Sequence, residues 1–218
     1  SKTGLRDYWS YVPGSGSPDE GHREYSQLMS SSLALIGDHI LNSYPLDGYR
    51  SLVDVAGGTG NFARAVKKRY PDLSATVLDL PEVVTEAKDQ ALNSPVRFVA
   101  TDMFHSPLPA DTELFSLVRV LHDHDDQPVS QLLARLHSAL RPGGHLLIAE
   151  PMAGTAGAEP IGDTYFGFYL WAMGSGRPRT AEELRAMCLA AGFTGVREFK
   201  TPIPALTRLL VAEKAVNS

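Results

Sequence analysis

From about residue 50 onward the chain alternates short apolar, β-rich runs with stretches whose apolar residues recur at helical spacing. The strand-like runs are Ser51–Val55, Ala75–Leu78, Val96–Ala100, Leu114–Leu121 and His145–Ala149. The helical stretches between them are Phe62–Arg69, Glu82–Leu92 and Val129–Leu140. Strands separated by helices predict a parallel sheet covered by helices on both faces. Ahead of this alternation, Arg23–Tyr44 reads as a helix burying Leu28, Leu33, Ile36 and Ile40 on one face. The Gly-, Ser- and Pro-rich stretch Ser10–Gly21 reads as a loop. Residues 1–21 are therefore expected to form a linker-like N-terminal segment and 22–218 a single domain. The polar, capless opening at Ser1 looks like a cut and not a natural start.

The C-terminal third departs from simple repetition. Pro151–Pro178 is Gly-rich and aromatic, and Thr180 with Glu183 three residues on predicts a reciprocally capped helix that Gly192 ends. Val196–Lys200 and Leu209–Ala212 then read as two strands joined by a Pro-containing connection, which suits an antiparallel hairpin. The expected fold is α/β: a doubly wound, mostly parallel sheet finished by a C-terminal antiparallel hairpin.

At 218 residues, with 43% hydrophobic and 21% charged residues, the chain can bury one well-filled core and does not have a disordered composition. A net charge of −5 argues against a nucleic-acid partner, since the only basic cluster, Arg64–Lys67–Lys68–Arg69, suits a solvated helix end. The lone Cys188 excludes an internal disulfide and, within an apolar helical run, reads as a buried small hydrophobe before a reactive thiol. No apolar stretch reaches the ~20 residues needed to span a bilayer, and no signal-like N-terminus is present, so a cytoplasmic location is expected.

Candidate chemistry gathers at strand ends. Leu52–Phe62 runs from a strand through Gly57, Gly58 and Gly60 into a helix, so the backbone can approach a ligand closely beside helix N-terminal N–H groups. Gly58-x-Gly60-x-x-Ala63, with Asp79 about 20 residues on, also fits a dinucleotide site. Three acids favour S-adenosylmethionine over a nicotinamide cofactor. Asp54 precedes the first glycine by three residues, where it can reach the methionine end and would repel a pyrophosphate. Asp79, followed by Leu80, can accept from ribose hydroxyls. Asp102 can bind the adenine amino group while Met103 and Phe104 cover its ring.

Strand four leads into His122, Asp123, His124 and Asp126. A histidine at the carboxyl edge of such a sheet can act as a general base near neutral pH. Glu150, ending the fifth strand, could orient His122, or could be an ordinary surface carboxylate. Asp123 either interacts with the sulfonium, as a supporting residue of the site, or shapes the turn. His122-x-His124-x-Asp126 also spells the core of a two-metal hydrolase pattern. Gln127 stands where such sites carry a further histidine and the remaining ligands have no evident source, so no metal is expected.

These motifs resemble the plant-type and bacterial small-molecule O-methyltransferases, in the glycine loop Val53–Gly60 and in Leu121–Asp123. The stretches from Ala149 and from Phe166 to Thr180 resemble the bacterial carotenoid branch, the hydroxyneurosporene or demethylspheroidene O-methyltransferases. The resemblance implies a class I, Rossmann-like methyltransferase domain. It further implies His122 as base, Glu150 supporting it, Asp79 and Asp102 holding the cofactor, and Tyr25 and Met29 in the substrate pocket. The implied acceptor is an apolar hydroxylated small molecule, a carotenoid ahead of a polyketide or aromatic compound, and Phe168, Trp171 and Met173 of the aromatic segment would suit its pocket. The family also pairs two subunits through an N-terminal helical domain with no counterpart in this sequence, so a homodimer is expected where that domain is present. One departure is Gly176-Arg-Pro-Arg-Thr180, where Pro178 replaces an acid common in the family.

Overall fold

A computed structural model of the chain describes residues 35–90, 94–157 and 175–216. Among these residues, seven strands form one sheet: β1 Ser51–Val55, β2 Ser74–Asp79, β3 Arg97–Ala100, β4 Thr112–Val118, β5 Leu140–Glu150, β6 Gly195–Phe199 and β7 Arg208–Glu213. Their order is β3-β2-β1-β4-β5-β7-β6. The first five run parallel, and β7 lies antiparallel between β5 and β6. The expected fold class is therefore what the structure has. Strand order reverses between β1 and β4, which opens a crevice at the carboxyl ends of those strands.

Among the described residues, five helices accompany the sheet: α1 over residues 35–43, α2 Asn61–Arg69, α3 Pro81–Gln90, α4 Asp126–Ala139 and α5 Ala181–Ala190. Ile36 and Ile40 of α1 are fully buried beside Phe62, Ala63 and Val66 of α2 on one face of the sheet. On the other face, Leu132, Leu133 and Leu136 of α4 meet Leu184 and Cys188 of α5. The central strands feed both layers alternately: in β5, Leu146 and Ile148 join one core, Leu147 and Ala149 the other. That double coverage explains why these strands read as near-continuous apolar runs. The Cys188 thiol is buried, and burial pushes it up to about 12, so it behaves as the expected small hydrophobe.

α5 begins with the reciprocal Thr180–Glu183 cap predicted from sequence. It ends one residue before Ala191, with Gly192 at φ +105°. Among the described residues, no helix is long and apolar enough to cross a membrane.

Two strand limits differ from expectation by more than two residues. β4 stops at Val118 and not Leu121, because Arg119 takes φ +58° and Leu121–Asp123 closes into a 3₁₀ turn. β5 starts five residues early, at Leu140. There Arg141–Gly144 bulges while β4 advances from Thr112 to Leu114 in the pairing.

Phe115, fully buried at the centre of β4, is the test of this core. Phe115→Ala is expected to lower unfolding free energy in urea by about 3–5 kcal/mol. Leu189→Ala, at a side chain 49% exposed on α5, should change it by less than ~1 kcal/mol.

Candidate active site

The glycine loop joins β1 to α2, and its glycines serve different needs. A Cβ on Gly57 would lie 2.5 Å from Asp54 Oδ2, so this position requires space. Gly60 combines φ +82° with a Cβ direction that runs 2.8 Å from the Phe98 ring, and it starts α2 without any side-chain cap. The N–H groups at the start of α2 are thus left to the loop's surroundings.

Asp54 is buried beneath this loop at 1% exposure. Its Oδ1 accepts from the Ser116 hydroxyl at 2.6 Å, while Oδ2 has no hydrogen-bond partner among the described residues. Burial pushes the carboxyl up to about 7 against the opposing Ser116 hydrogen bond, and the nearby Asp79 charge pushes the same way as burial. The carboxylate expected to reach the methionine end of a cofactor lies buried against the backbone of Gly57.

Asp79, at the end of β2, accepts the Gly58 N–H at 2.7 Å on Oδ2 and the Leu80 N–H at 2.8 Å on Oδ1. Partial burial raises its pKa despite those two donors. It thus ties the glycine loop to β2, with Leu80 exposed beside it. Asp102, past the end of β3, folds back on its own turn. Oδ1 accepts the N–H groups of Phe104 and His105, and Oδ2 meets His105 Nδ1 at 2.8 Å. Met103 and Phe104 pack partly buried against the core, and the Phe104 ring meets His124 edge-on at 5.0 Å.

The densest polar arrangement surrounds His122, 7% exposed in the 3₁₀ turn after β4. Glu150, 2% exposed, is no surface carboxylate. Its Oε1 accepts the N–H groups of Val120 and Leu121 at 2.8 Å each, and its Oε2 bonds His122 Nδ1. Asp123 Oδ1 lies 3.4 Å from His122 Nε2. Burial alone would lower the pKa of His122, but the charge and hydrogen bond of Glu150 outweigh it and hold the pKa above the ordinary value of 6.5. The imidazole is thus oriented by one nitrogen and can exchange a proton through the other.

The metal pattern does not assemble. His122 bonds Glu150, His124 stacks edge-on with Phe104, and Asp126 meets Arg177 and Arg179. Among the described residues, no three His, Cys, Asp or Glu side chains form a group able to hold a metal ion. Tyr25, Met29, Phe168, Trp171 and Met173 lie outside the described residues, as does the 1–21 segment.

Sequence reasoning missed Ser116, Arg119 and Arg179. Ser116 holds Asp54, and the positive φ of Arg119 turns the chain toward His122. Arg179 is 3% exposed and donates to the carbonyls of Leu121 and His124. The Arg-Pro-Arg run just before a helix cap was the available signal for it.

The arrangement suits S-adenosylmethionine. Asp79 stands at a strand end with lone pairs beyond its two backbone donors, the α2 N-terminus is uncapped, and Asp54 keeps an unpartnered acceptor beneath the loop, to which a cationic group would be drawn.

Residues 7–194 match the model of the O-methyltransferase domain family. The chain is 42% identical over 212 residues to a demethylspheroidene O-methyltransferase of Rhodobacter capsulatus, covering 96% of this chain and 53% of that protein. It is 40% identical to the protein of the same description from Cereibacter sphaeroides, covering 89% and 53%. It therefore spans about half the length of these curated relatives. The solved structure of human N-acetylserotonin methyltransferase in complex with SAM superposes with a TM-score of 0.79 at 29% identity, covering 90% of this chain and 57% of that one.

The buried Asp54 generates a stability prediction. The folded chain keeps its proton up to about pH 7, whereas an unfolded aspartate loses it near 3.8, so stability falls as pH rises between those values. Asp54→Asn removes this penalty. Relative to the parent chain it should become more stable across that window and level off above it, by at most ~4 kcal/mol for about three pH units at roughly 1.4 kcal/mol each. Urea unfolding at pH 4.5, 6 and 8 checks this; a difference independent of pH counts against a buried titrating carboxyl.

Proposed function

The chain belongs to the O-methyltransferase domain family, and on that premise we propose that it transfers a methyl group from S-adenosylmethionine to a hydroxyl oxygen of an apolar small molecule. The observation that carries this reading is the buried His122–Glu150 pair set at the same sheet edge as the glycine loop and Asp79. S-adenosylmethionine, when bound, supplies an electrophilic methyl group on a sulfonium. Asp79 and the glycine loop would hold it, with Asp102, Met103 and Phe104 toward the adenine and Asp54 beneath the loop, where a nearby cation would favour its ionised form.

His122 does the proton chemistry in this reading. Glu150 fixes the ring through Nδ1 and would stabilise the imidazolium, leaving the Nε2 side to take the proton of the acceptor's hydroxyl. Asp123, 3.4 Å from Nε2, helps hold that charge. Alignment supplies most of the remaining acceleration, because an in-line displacement needs the reacting atoms about 3 Å apart. A hydroxylated carotenoid is the acceptor class we favour, supported by the identity to demethylspheroidene O-methyltransferases. A cytoplasmic setting, and homodimer formation where an N-terminal helical domain is present, belong to this reading by family resemblance.

Calorimetric titration with S-adenosylhomocysteine, the demethylated product, tests the cofactor reading. Saturable binding is expected, weakened at least ~10-fold in Asp79→Ala by loss of the hydroxyl-accepting carboxylate. A folded chain that ignores it, or that takes up reduced nicotinamide instead, sinks the proposal.

The base reading makes a separate prediction for pH. His122 must be neutral to accept a proton and its pKa is raised, so turnover with a hydroxylated carotenoid should climb with pH through a midpoint above 6.5. Glu150→Gln removes the charge that raises it. Its midpoint should move down, with a lower plateau rate; an unmoved midpoint would assign the titration to another group.

A further inference from the structure

The 3₁₀ turn that carries His122 is held from two sides by opposite charges. Glu150 takes its N–H groups at Val120 and Leu121. On the opposite, carbonyl side stands Arg179, whose guanidinium donates to Leu121 O at 2.7 Å through Nη1 and to His124 O at 2.7 Å through Nη2. The Leu121 residue is thus gripped at both ends, N–H by an anion and C=O by a cation. A carbonyl one residue before His122 and another two residues after it are both fixed by one planar group. Lysine could not hold both in that geometry.

Arg179 is itself held in place. Its Nε donates to Asp126 Oδ1 at 2.9 Å, and Asp126 is held in turn by Arg177, which also reaches Glu183 on α5. Its backbone carbonyl accepts the Ala153 N–H, and the next residue, Thr180, caps α5. Gly176, three residues before it, passes so close to the turn that a Cβ there would fall 2.3 Å from His122 O. Charged groups flanking His122 are Glu150 from β5, Asp123 and His124 of its own segment, and Arg119 after β4, with Arg179, Arg177, Asp126 and Glu183 behind the turn.

We propose that Arg179 is a positioning residue for the methyl transfer, setting the His122 ring against Glu150 by fixing the carbonyls of Leu121 and His124. The proposal rests on His122 being the base. A 3% exposed cation needs its acceptors for its own burial, and here those acceptors belong to the catalytic turn.

The test is proton NMR of the chain, following the downfield His122 Nδ1–H resonance, identified by its loss in Glu150→Gln. Arg179→Lys keeps the charge, so any change reports geometry. The resonance is expected to move upfield and broaden, and the His122 pKa to fall toward 6.5, while S-adenosylhomocysteine affinity stays within about twofold of the parent. A resonance and pKa unchanged in Arg179→Lys overturn the proposal, even if its unfolding midpoint drops, because a merely structural role predicts that pattern. Where Arg179→Lys does not fold, Asp126→Asn replaces it. That change removes the carboxylate anchoring Arg179 from a half-exposed site, and the same movement of the resonance supports the proposal while an unmoved one overturns it. None of these signals needs turnover, so an inactive parent chain would defeat the functional reading alone and leave the positioning of His122 to be judged on the spectra.

Discussion

The Glu150 carboxylate is the constraint on which the site depends. A carboxylate 2% exposed is costly unless its lone pairs are used. Glu150 answers this by accepting two backbone N–H groups and one imidazole nitrogen, all from one stretch of chain, residues 120–122. The same contacts that make its burial tolerable end β4, form the 3₁₀ turn and aim the histidine. Stability of the turn and orientation of the ring are therefore one physical event.

The sheet supplies the rest by placement. Its order reverses between β1 and β4, and the carboxyl ends of β1, β2, β4 and β5 bring Asp54, Asp79, His122 and Glu150 to a common edge. Helices packed on both faces hold those strands, and the polar groups brought to the edge are fixed there by defined hydrogen bonds. The exception is Asp54, which the fold keeps under the glycine loop with one oxygen bonded to Ser116 and the other unpartnered among the described residues. A buried acid without full partners is a local conflict of the kind proteins retain at working sites.

Most of this was legible in the chain. β1, β2, β3, β6 and β7 lie within a residue or two of their expected limits because β-rich runs are bounded by turns and glycines. The Thr180–Glu183 cap is a local device and reads locally. What failed to read was long-range. Val120 and Leu121 are apolar and continue the strand pattern, and only a carboxylate 30 residues away in sequence draws their N–H groups out of the sheet. Arg141–Gly144 looks like a turn, yet it bulges within β5 because Leu140 already pairs with Thr112. The burial of Asp54 was not legible, since nothing in Leu52–Gly60 says which way its side chain turns. Arg179 sits 55 residues beyond one of its acceptors, a separation that no local pattern spans.

The antiparallel insertion of β7 has a consequence for how the protein is made. β5 carries Glu150 and pairs with β4 on one side, but its other side is filled by residues 208–213, from His145↔Glu213 to Glu150↔Arg208. During synthesis, which runs from the N-terminus, every parallel strand leaves the ribosome before β7 does. For that interval β5 is an open edge, exposing unpaired backbone groups and apolar Leu147 and Ile148. The strand at the heart of the candidate site is thus the last in the parallel set to gain its second neighbour, and the window between its emergence and that of β7 is when a nascent chain is most open to pairing with another.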